Sequence, residues 1–200
     1  MKRLAFLLLM VPTIIYGQKQ KDPSEDAVNA VYLALPKVDS QFEWTEIVQA
    51  DSSLKKDDLY RNAKIFFANG LKSPEDVIQY DDAGEKKVVG KGSFHLEDSQ
   101  LSVMFFYTDT RDVNFTLEIY CMDGKYKYRI YNINAVCRIG TSSSGSSKVT
   151  MTLDDAYNRC LKGVPKKMER RLFIDMIYDI QYTVDDVKKA MAVKKGNDAF

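Results

Sequence analysis

The sequence predicts an α+β domain: a curved antiparallel sheet of about five or six strands with helices packed on one face. Three features point there. Between residues 77 and 134 the chain breaks into short segments that alternate apolar and polar side chains, with Asp123-Gly124 as the sharpest turn signal. Helical apolar stripes flank that run on both sides. The strands follow one another without intervening helices, so hairpins connect them rather than the crossovers of a parallel sheet.

Residues 1–17 precede the domain. Met1-Lys2-Arg3 is a short basic start, Leu4 to Tyr16 is an almost unbroken apolar run, and Gly17 meets the polar Gln18-Lys19-Gln20-Lys21-Asp22. A charged start, a short apolar stretch and a small residue at the cut make a secretory signal peptide. The run falls short of the ~20 apolar residues that span a bilayer, and no later run approaches that length, so no transmembrane segment is expected in the mature chain. The expected location is outside the cytoplasm, periplasmic or secreted. Residues 18–40, with Pro23 and Pro36, read as a loosely ordered lead-in, residues 41–195 as the single domain and 196–200 as a tail.

Within the domain, residues 42–48 are a first strand. Ser52-Ser53 can cap a helix whose first turns carry Asp57-Asp58, favourable against the helix dipole. Leu59, Ala63, Phe66 and Phe67 form its apolar stripe, and Gly70 ends it. Residues 77–80 and 86–94 are strands around Asp81-Asp82-Ala83-Gly84-Glu85, with Gly90 and Gly92 marking a bulge or kink in the second. Residues 101–108 are another strand. Residues 112–122 and 125–134 form the best hairpin, and Asp123-Gly124 predicts a type I′ turn between them.

With that two-residue loop, Met122 faces Lys125 and the register follows down the ladder. One face then carries Phe115, Leu117, Ile119 and Cys121 beside Tyr126, Tyr128 and Ile130, and is the core face. The other carries Asn114, Thr116, Glu118 and Tyr120 beside Lys127, Arg129 and Tyr131, with Glu118 opposite Arg129, and is the wet face. Residues 141–147 read as a serine-rich flexible loop. Thr152-Leu153-Asp154-Asp155 starts a short helix with a capping box, striped by Leu153, Ala156, Tyr157, Cys160 and Leu161 and ended by Gly163. Pro165 opens the last helix, striped by Phe173, Ile177, Ile180, Val184, Val187 and Met191. Thr183-Val184-Asp185-Asp186 can restart it, which leaves one helix or two. The stripe fits a helix lying on its own sheet better than an oligomer seam.

Leu59-Tyr60-Arg61-Asn62-Ala63, Val88-Val89-Gly90-Lys91-Gly92 and Lys125-Tyr126-Lys127-Tyr128-Arg129 resemble a family of secreted bacterial proteins. That family has no assigned function and a TATA-binding-protein-like fold. The resemblance covers roughly residues 42–135 and implies fold and export, not an activity.

The chemistry-bearing residues point the same way. The whole chain has 29 Lys and Arg against 28 Asp and Glu; the leader removes Lys2 and Arg3, leaving 27 against 28, a formal charge of −1. That balance builds no field for nucleic acid. His95, the one histidine, has no Gly-x-Ser-x-Gly elbow to serve and reads as a surface residue near a turn. A multi-histidine metal site is impossible and no Cys-x-x-Cys pair exists, so neither a metal nor a cofactor is expected. The Asp pairs 57–58, 154–155 and 185–186 sit at expected helix starts and 81–82 in a turn. Gly90-Lys91-Gly92 lacks the Gly-Lys-Ser/Thr of a phosphate loop. Cys121, Cys137 and Cys160 allow at most one disulfide, and Cys121 and Cys160 fall on apolar stripes as free thiols.

The expected function is an exported, non-enzymatic binding or structural module of the bacterial envelope, with an envelope protein or a glycan as partner. A secreted hydrolase acting on glycans or peptides is the alternative. The candidate recognition residues are Glu118, Tyr120, Lys127, Arg129 and Tyr131, which share the wet face of the hairpin. The sequence leaves the oligomeric state open.

Overall fold

Asp123-Gly124 does close a two-residue turn, and the hairpin around it is the spine of the molecule. The computed structural model describes residues 22–71, 77–96, 107–141, 145–162 and 166–194. In chain order the elements are α1 (Glu25–Ala34), β1 (Lys37–Val38), β2 (Gln41–Phe42), β3 (Trp44–Gln49), α2 (Lys56–Gly70), β4 (Ile78–Asp82) and β5 (Lys87–Leu96). The long hairpin β6 (Tyr107–Met122) and β7 (Lys125–Thr141) follows, then β8 (Gly145–Thr152), α3 (Leu153–Lys162) and α4 (Lys166–Met191). Six strands form one antiparallel sheet, β3-β7-β6-β5-β4, with β8 also on β7. The fold is therefore the expected α+β sheet with helices.

The register follows the sequence expectation from Met122↔Lys125 to Thr116↔Tyr131. It then slips by one residue, so that Asn114 faces Asn134. Asn132 has φ +54, a left-handed conformation that asparagine tolerates better than most residues, and marks the bulge. The slip switches the core-facing set of β7 from Tyr126, Tyr128 and Ile130 to Ile133 and Ala135. It also divides the flank of β7. Residues 125–130 pair with β3, and residues 134–141 pair with β8.

The turn itself is not type I′. Gly124 has φ +69, but Asp123 is not left-handed. Tertiary contacts hold it instead: Asp123 accepts the Lys56 backbone N–H at 3.0 Å, and the Gly124 N–H donates to the Leu54 carbonyl at 3.2 Å. The Asp123 bond also caps α2, whose N-cap is Lys55 and not Ser52 or Ser53. Ser53 is occupied by Asp51, while Asp58 accepts the Lys55 N–H.

One face of the sheet is the core. Val88, Val113, Leu117, Ile119 and Ile130 are fully buried there against Leu59, Ala63 and Phe67 of α2 and Phe173, Ile180, Val184, Val187 and Met191 of α4. The α4 stripe is thus spent inside its own domain. Lys188 of α4 pairs with Glu46 of β3 at 2.7 Å, and Glu46 also accepts the Tyr128 hydroxyl at 3.0 Å. Cys121 and Cys160 are buried thiols in no disulfide, and burial pushes the Cys121 thiol up to about 12.

Several local expectations are corrected. Residues 25–34 are a helix, not a loose lead-in: Ser24 caps it by accepting the Ala27 N–H at 3.1 Å, Val28 is fully buried, and Tyr32 stacks on Tyr157 at 3.7 Å. The bulge falls opposite Gly90 but on the neighbouring strand: Ile78 of β4 faces Gly90 and Tyr80 faces Val89, so Gln79 is the extra residue, while β5 itself runs unbroken against β6 and Gly92 marks no irregularity. The glycines answer close approaches instead. A Cβ on Gly90 would come 2.4 Å from the Val77 carbonyl oxygen, and one on Gly92 would come 2.3 Å from the Phe115 ring.

Of the strand expected over 101–108, residues 101–106 lie outside the described residues and Tyr107 and Thr108 open β6. Residues 145–147 of the expected serine loop belong to β8, because serine side chains do not prevent backbone pairing with Ile139, Gly140 and Thr141. Residues 142–144, Gly163 and Pro165 are also outside the described set. Around Leu153 the capping box forms as expected, with Thr152 and Asp155 exchanging bonds of 3.0 and 3.2 Å. The last helix is continuous. Thr183 donates its hydroxyl to the Asp179 carbonyl one turn back, so Asp185-Asp186 lies mid-helix and caps nothing.

Candidate functional site: the outer face of the sheet

The helices bury the inner face, and the pleat sends every second side chain to the other side. The registers align these outer side chains in rows about 4.8 Å from strand to strand. The first row runs Asp82, Lys87, Tyr120, Lys127, Ile47, and the second Tyr80, Val89, Glu118, Arg129, Thr45. A third holds Lys91, Thr116 and Tyr131. All five candidate residues therefore share one contiguous patch in neighbouring rows.

The patch is not simply wet. Glu118, Tyr120, Lys127, Arg129 and Tyr131 are all half-buried, because long neighbours on adjacent strands cover one another. Two of the five are engaged in a chain of alternating charge. Arg129 donates through Nε to Glu43 Oε1 at 2.9 Å and through Nη2 to Glu43 Oε2 at 2.7 Å, a bidentate pair. Its Nη1 lies 3.7 Å from Glu118, whose other oxygen is 3.3 Å from Lys87 Nζ. Tyr131 lies under the guanidinium at 4.9 Å. The Arg129 hydrogen bonds hold the Glu43 carboxyl below the usual carboxylate range against the opposing effect of burial, and Glu43 raises Arg129 further.

Glu43 was missed by sequence reasoning. It is 7% exposed. Its signal was parity: Phe42 and Trp44 are buried on either side of it, and Arg129 lies opposite Thr45, two residues along the strand. Tyr120 and Lys127 face each other across β6 and β7, and Ile47 (56% exposed) and Tyr80 (47% exposed) frame the patch as apolar ends. Outer-face chemistry thus divides into a self-satisfied ion chain and a surround of aromatic, apolar and lysine side chains.

The other candidates stand apart from this face's centre. His95 is exposed in β5, with Nδ1 2.8 Å from Asp112 Oδ1 on the neighbouring strand, and no described serine or cysteine thiol bonds to it. Asp57-Asp58 and Asp154-Asp155 lie in the first turns of α2 and α3, as expected. Asp82 accepts the Gly84 and Glu85 N–H groups in the β4–β5 turn, and Asp81 takes Lys64 at 2.6 Å and the Tyr60 hydroxyl. A second pair of carboxylates was missed: Asp175 and Asp179, one turn apart on α4, both raised above the usual carboxylate range by burial. No three His, Cys, Asp or Glu side chains converge as metal ligands among the described residues. No described helix is long and apolar enough to cross a membrane.

Comparison with known proteins places this architecture. Residues 44–135 match the model of a domain of unknown function (DUF4468) with TBP-like fold. The match opens at Trp44 of β3 and closes at Ala135 of β7, so it contains Glu118, Arg129 and the rest of the patch except Glu43. A DUF4468 family protein from Bacteroides ovatus ATCC 8483 is similar in structure, with TM-score 0.53 and 17% identity over 82% of this chain and 93% of that one. A TBP-like protein from Parabacteroides distasonis ATCC 8503 is similar with TM-score 0.57 and 9% identity over 80% of this chain and 99% of that one. No curated protein matches. At these identities the likeness is one of fold.

Proposed function

We propose that this chain, which carries a DUF4468 domain of TBP-like fold over residues 44–135, is an exported, non-enzymatic binding or structural module of the bacterial envelope. One observation carries the reading: the sheet spends its inner face on α2, α3 and α4 and turns the other, unpacked by any described helix, outward. An open sheet face with tyrosines, lysines and isolated apolar ends suits recognition of a protein or glycan surface. The ion chain Glu43–Arg129–Glu118–Lys87 is its rigid floor, and Tyr120, Lys127 and Tyr131 are its contacting side chains.

Export rests on residues 1–17, which lie outside the described residues. Mass analysis of protein recovered from the cell envelope should show a mature N-terminus near Gln18; an intact Met1 would remove this part of the reading. For binding, the immobilised protein is used to capture partners from envelope extract, and Tyr120, Lys127 and Tyr131 are then changed together to alanine. Arg129 is left in place because it holds Glu43. Undiminished capture by the folded triple variant would eliminate the face.

The hydrolase alternative has one observation in its favour: Asp175 and Asp179 lie one turn apart on α4, half-buried, with both carboxyls raised by burial, the direction in which a general acid is tuned. Glycan or peptide cleavage by the purified protein, lost in Asp175→Asn, would promote it.

A further inference from the structure

β3, β4 and β8 each pair on one side only among the described strands, and the last two are built differently. β4 is short, bulged at Gln79 and ends in Asp81-Asp82, the features that keep an edge from pairing with another chain. β8 has none of these. It runs eight residues without a register shift, carries one charge, Lys148, and pairs with β7 alone among the described strands. A shallow open groove of about 670 Å³ lies along it, floored by Val149, Thr150 and Met151 and walled by α3.

The wall is a polar stripe, Asp155, Asn158, Arg159 and Lys162, at helical spacing. Asp155, Asn158 and Lys162 are exposed, and Arg159 pairs with Glu169 at 2.9 Å. The stripe is acidic at its N-terminal end and basic at its C-terminal end. Turned end for end, it is complementary to itself. A two-fold axis requires that relation: whatever one copy presents must fit the same patch running the other way.

We propose that this edge is the site where a second copy of the chain docks, β8 against β8, antiparallel and centred on Thr150. The backbone groups of the two strands continue the ladder, as in strand addition to any open edge. Lys148 then stands opposite Thr152 of the second copy, and Val149 opposite its Met151. Asp155 on α3 meets Lys162 of the second copy across the axis, and the reciprocal pair closes the other side. The product is one sheet running through both copies. It keeps both outer faces open on the same side, so two recognition patches point at one partner surface.

Sedimentation velocity over a range of protein concentration reads the assembly directly, and the full chain as exported is the sample. The expected result is a monomer–dimer equilibrium. Lys162→Glu, on an exposed helix position, sets two like charges against each other across the axis and should raise the dissociation constant by about ten-fold or more. Thr150→Cys should oxidise rapidly to a linked dimer, while the control Gln79→Cys on the β4 edge should not. A monomer at every concentration overturns the proposal. So does a dimer that ignores Lys162→Glu and in which Thr150→Cys links no faster than Gln79→Cys, because that dimer uses another surface. Circular dichroism of each variant separates loss of assembly from loss of fold.

Discussion

Leu117 and Glu118 are neighbours in the chain and opposites in their physics. Leu117 is fully buried on the inner face, among Ile119, Ile130 and the helices, and its contribution is area removed from water and close packing. Glu118 points the other way, into an ion chain whose members largely satisfy one another. The inner face defines the fold by shape. The outer face defines a surface by charge, and a single buried carboxylate, Glu43, ties it down. The contrast teaches that alternation along β6 separates stability from recognition one residue at a time, so the two can be tested by neighbouring substitutions.

Leu117→Ala should give the largest effect, a loss of about 3–4 kcal/mol in denaturant unfolding, since it opens a cavity at the centre of the sheet. Glu118→Gln should cost less than about 1 kcal/mol. Equal losses from the two would erase the difference between the faces. Gly90→Ala comes next at about 2–3 kcal/mol. Its added methyl meets the Val77 carbonyl oxygen at 2.4 Å and the Phe67 ring at 2.6 Å, and a backbone atom cannot rotate away. Lys91→Ala, one residue along and exposed on the outer face, is the control that should leave unfolding nearly unchanged.

Much of this was legible in the sequence because period two is a local signal. The split of residues 115–121 and 126–131 into core and outer sets follows from a two-residue turn and nothing else, and all seven core residues are buried. What lay beyond reach was non-local. The half-buried state of the outer side chains comes from β3 and β5 on either side of the hairpin, not from the hairpin. The Asn132 bulge falls where the flank of β7 passes from β3 to β8, two strands distant from it in sequence. β8 itself was hidden because Gly145-Ser146-Ser147 is flexible by composition and extended only by pairing. Helix α1 was hidden because two prolines bracket it and its one fully buried residue is Val28.

Arg129→Ala sharpens the contrast within the outer face. It strands Glu43, whose side chain is 9% exposed, and should cost about 2 kcal/mol. Arg129→Ala with Glu43→Ala should recover part of that loss, because the buried charge leaves with its partner. The sign with pH is fixed. The folded Glu43 carboxyl lies below its unfolded value, so the pair's contribution is complete above the unfolded value and lost as pH falls through the folded one. The gap between wild type and Arg129→Ala should therefore close on acidification, and a gap that widens would refute the assignment.

The smallest expected effect has the opposite sign and comes from the helix layer. Asp175 on α4 is half-buried, and its carboxyl is raised, first by burial and then by the neighbouring charge of Asp179, with Arg171 opposing. A carboxyl whose folded pKa exceeds the unfolded one binds its proton more tightly in the folded state. Its charged form therefore penalises folding above the folded pKa, and the penalty vanishes as pH falls below the unfolded value. Asp175→Asn keeps the shape and removes the charge. Thermal unfolding at neutral pH should rise by about 2–4 °C, the shift that about 1 kcal/mol gives in a chain of this size. The gain should fade as pH drops through the carboxylate range, where the wild-type side chain takes up its own proton. Glu43 and Asp175 thus oppose each other under acid: one contribution is lost while one penalty is relieved. Thermal scans of wild type, Arg129→Ala and Asp175→Asn on one pH axis separate them, and an Asp175→Asn protein that is less stable than wild type at neutral pH would show that the carboxylate makes a bond that outweighs its burial.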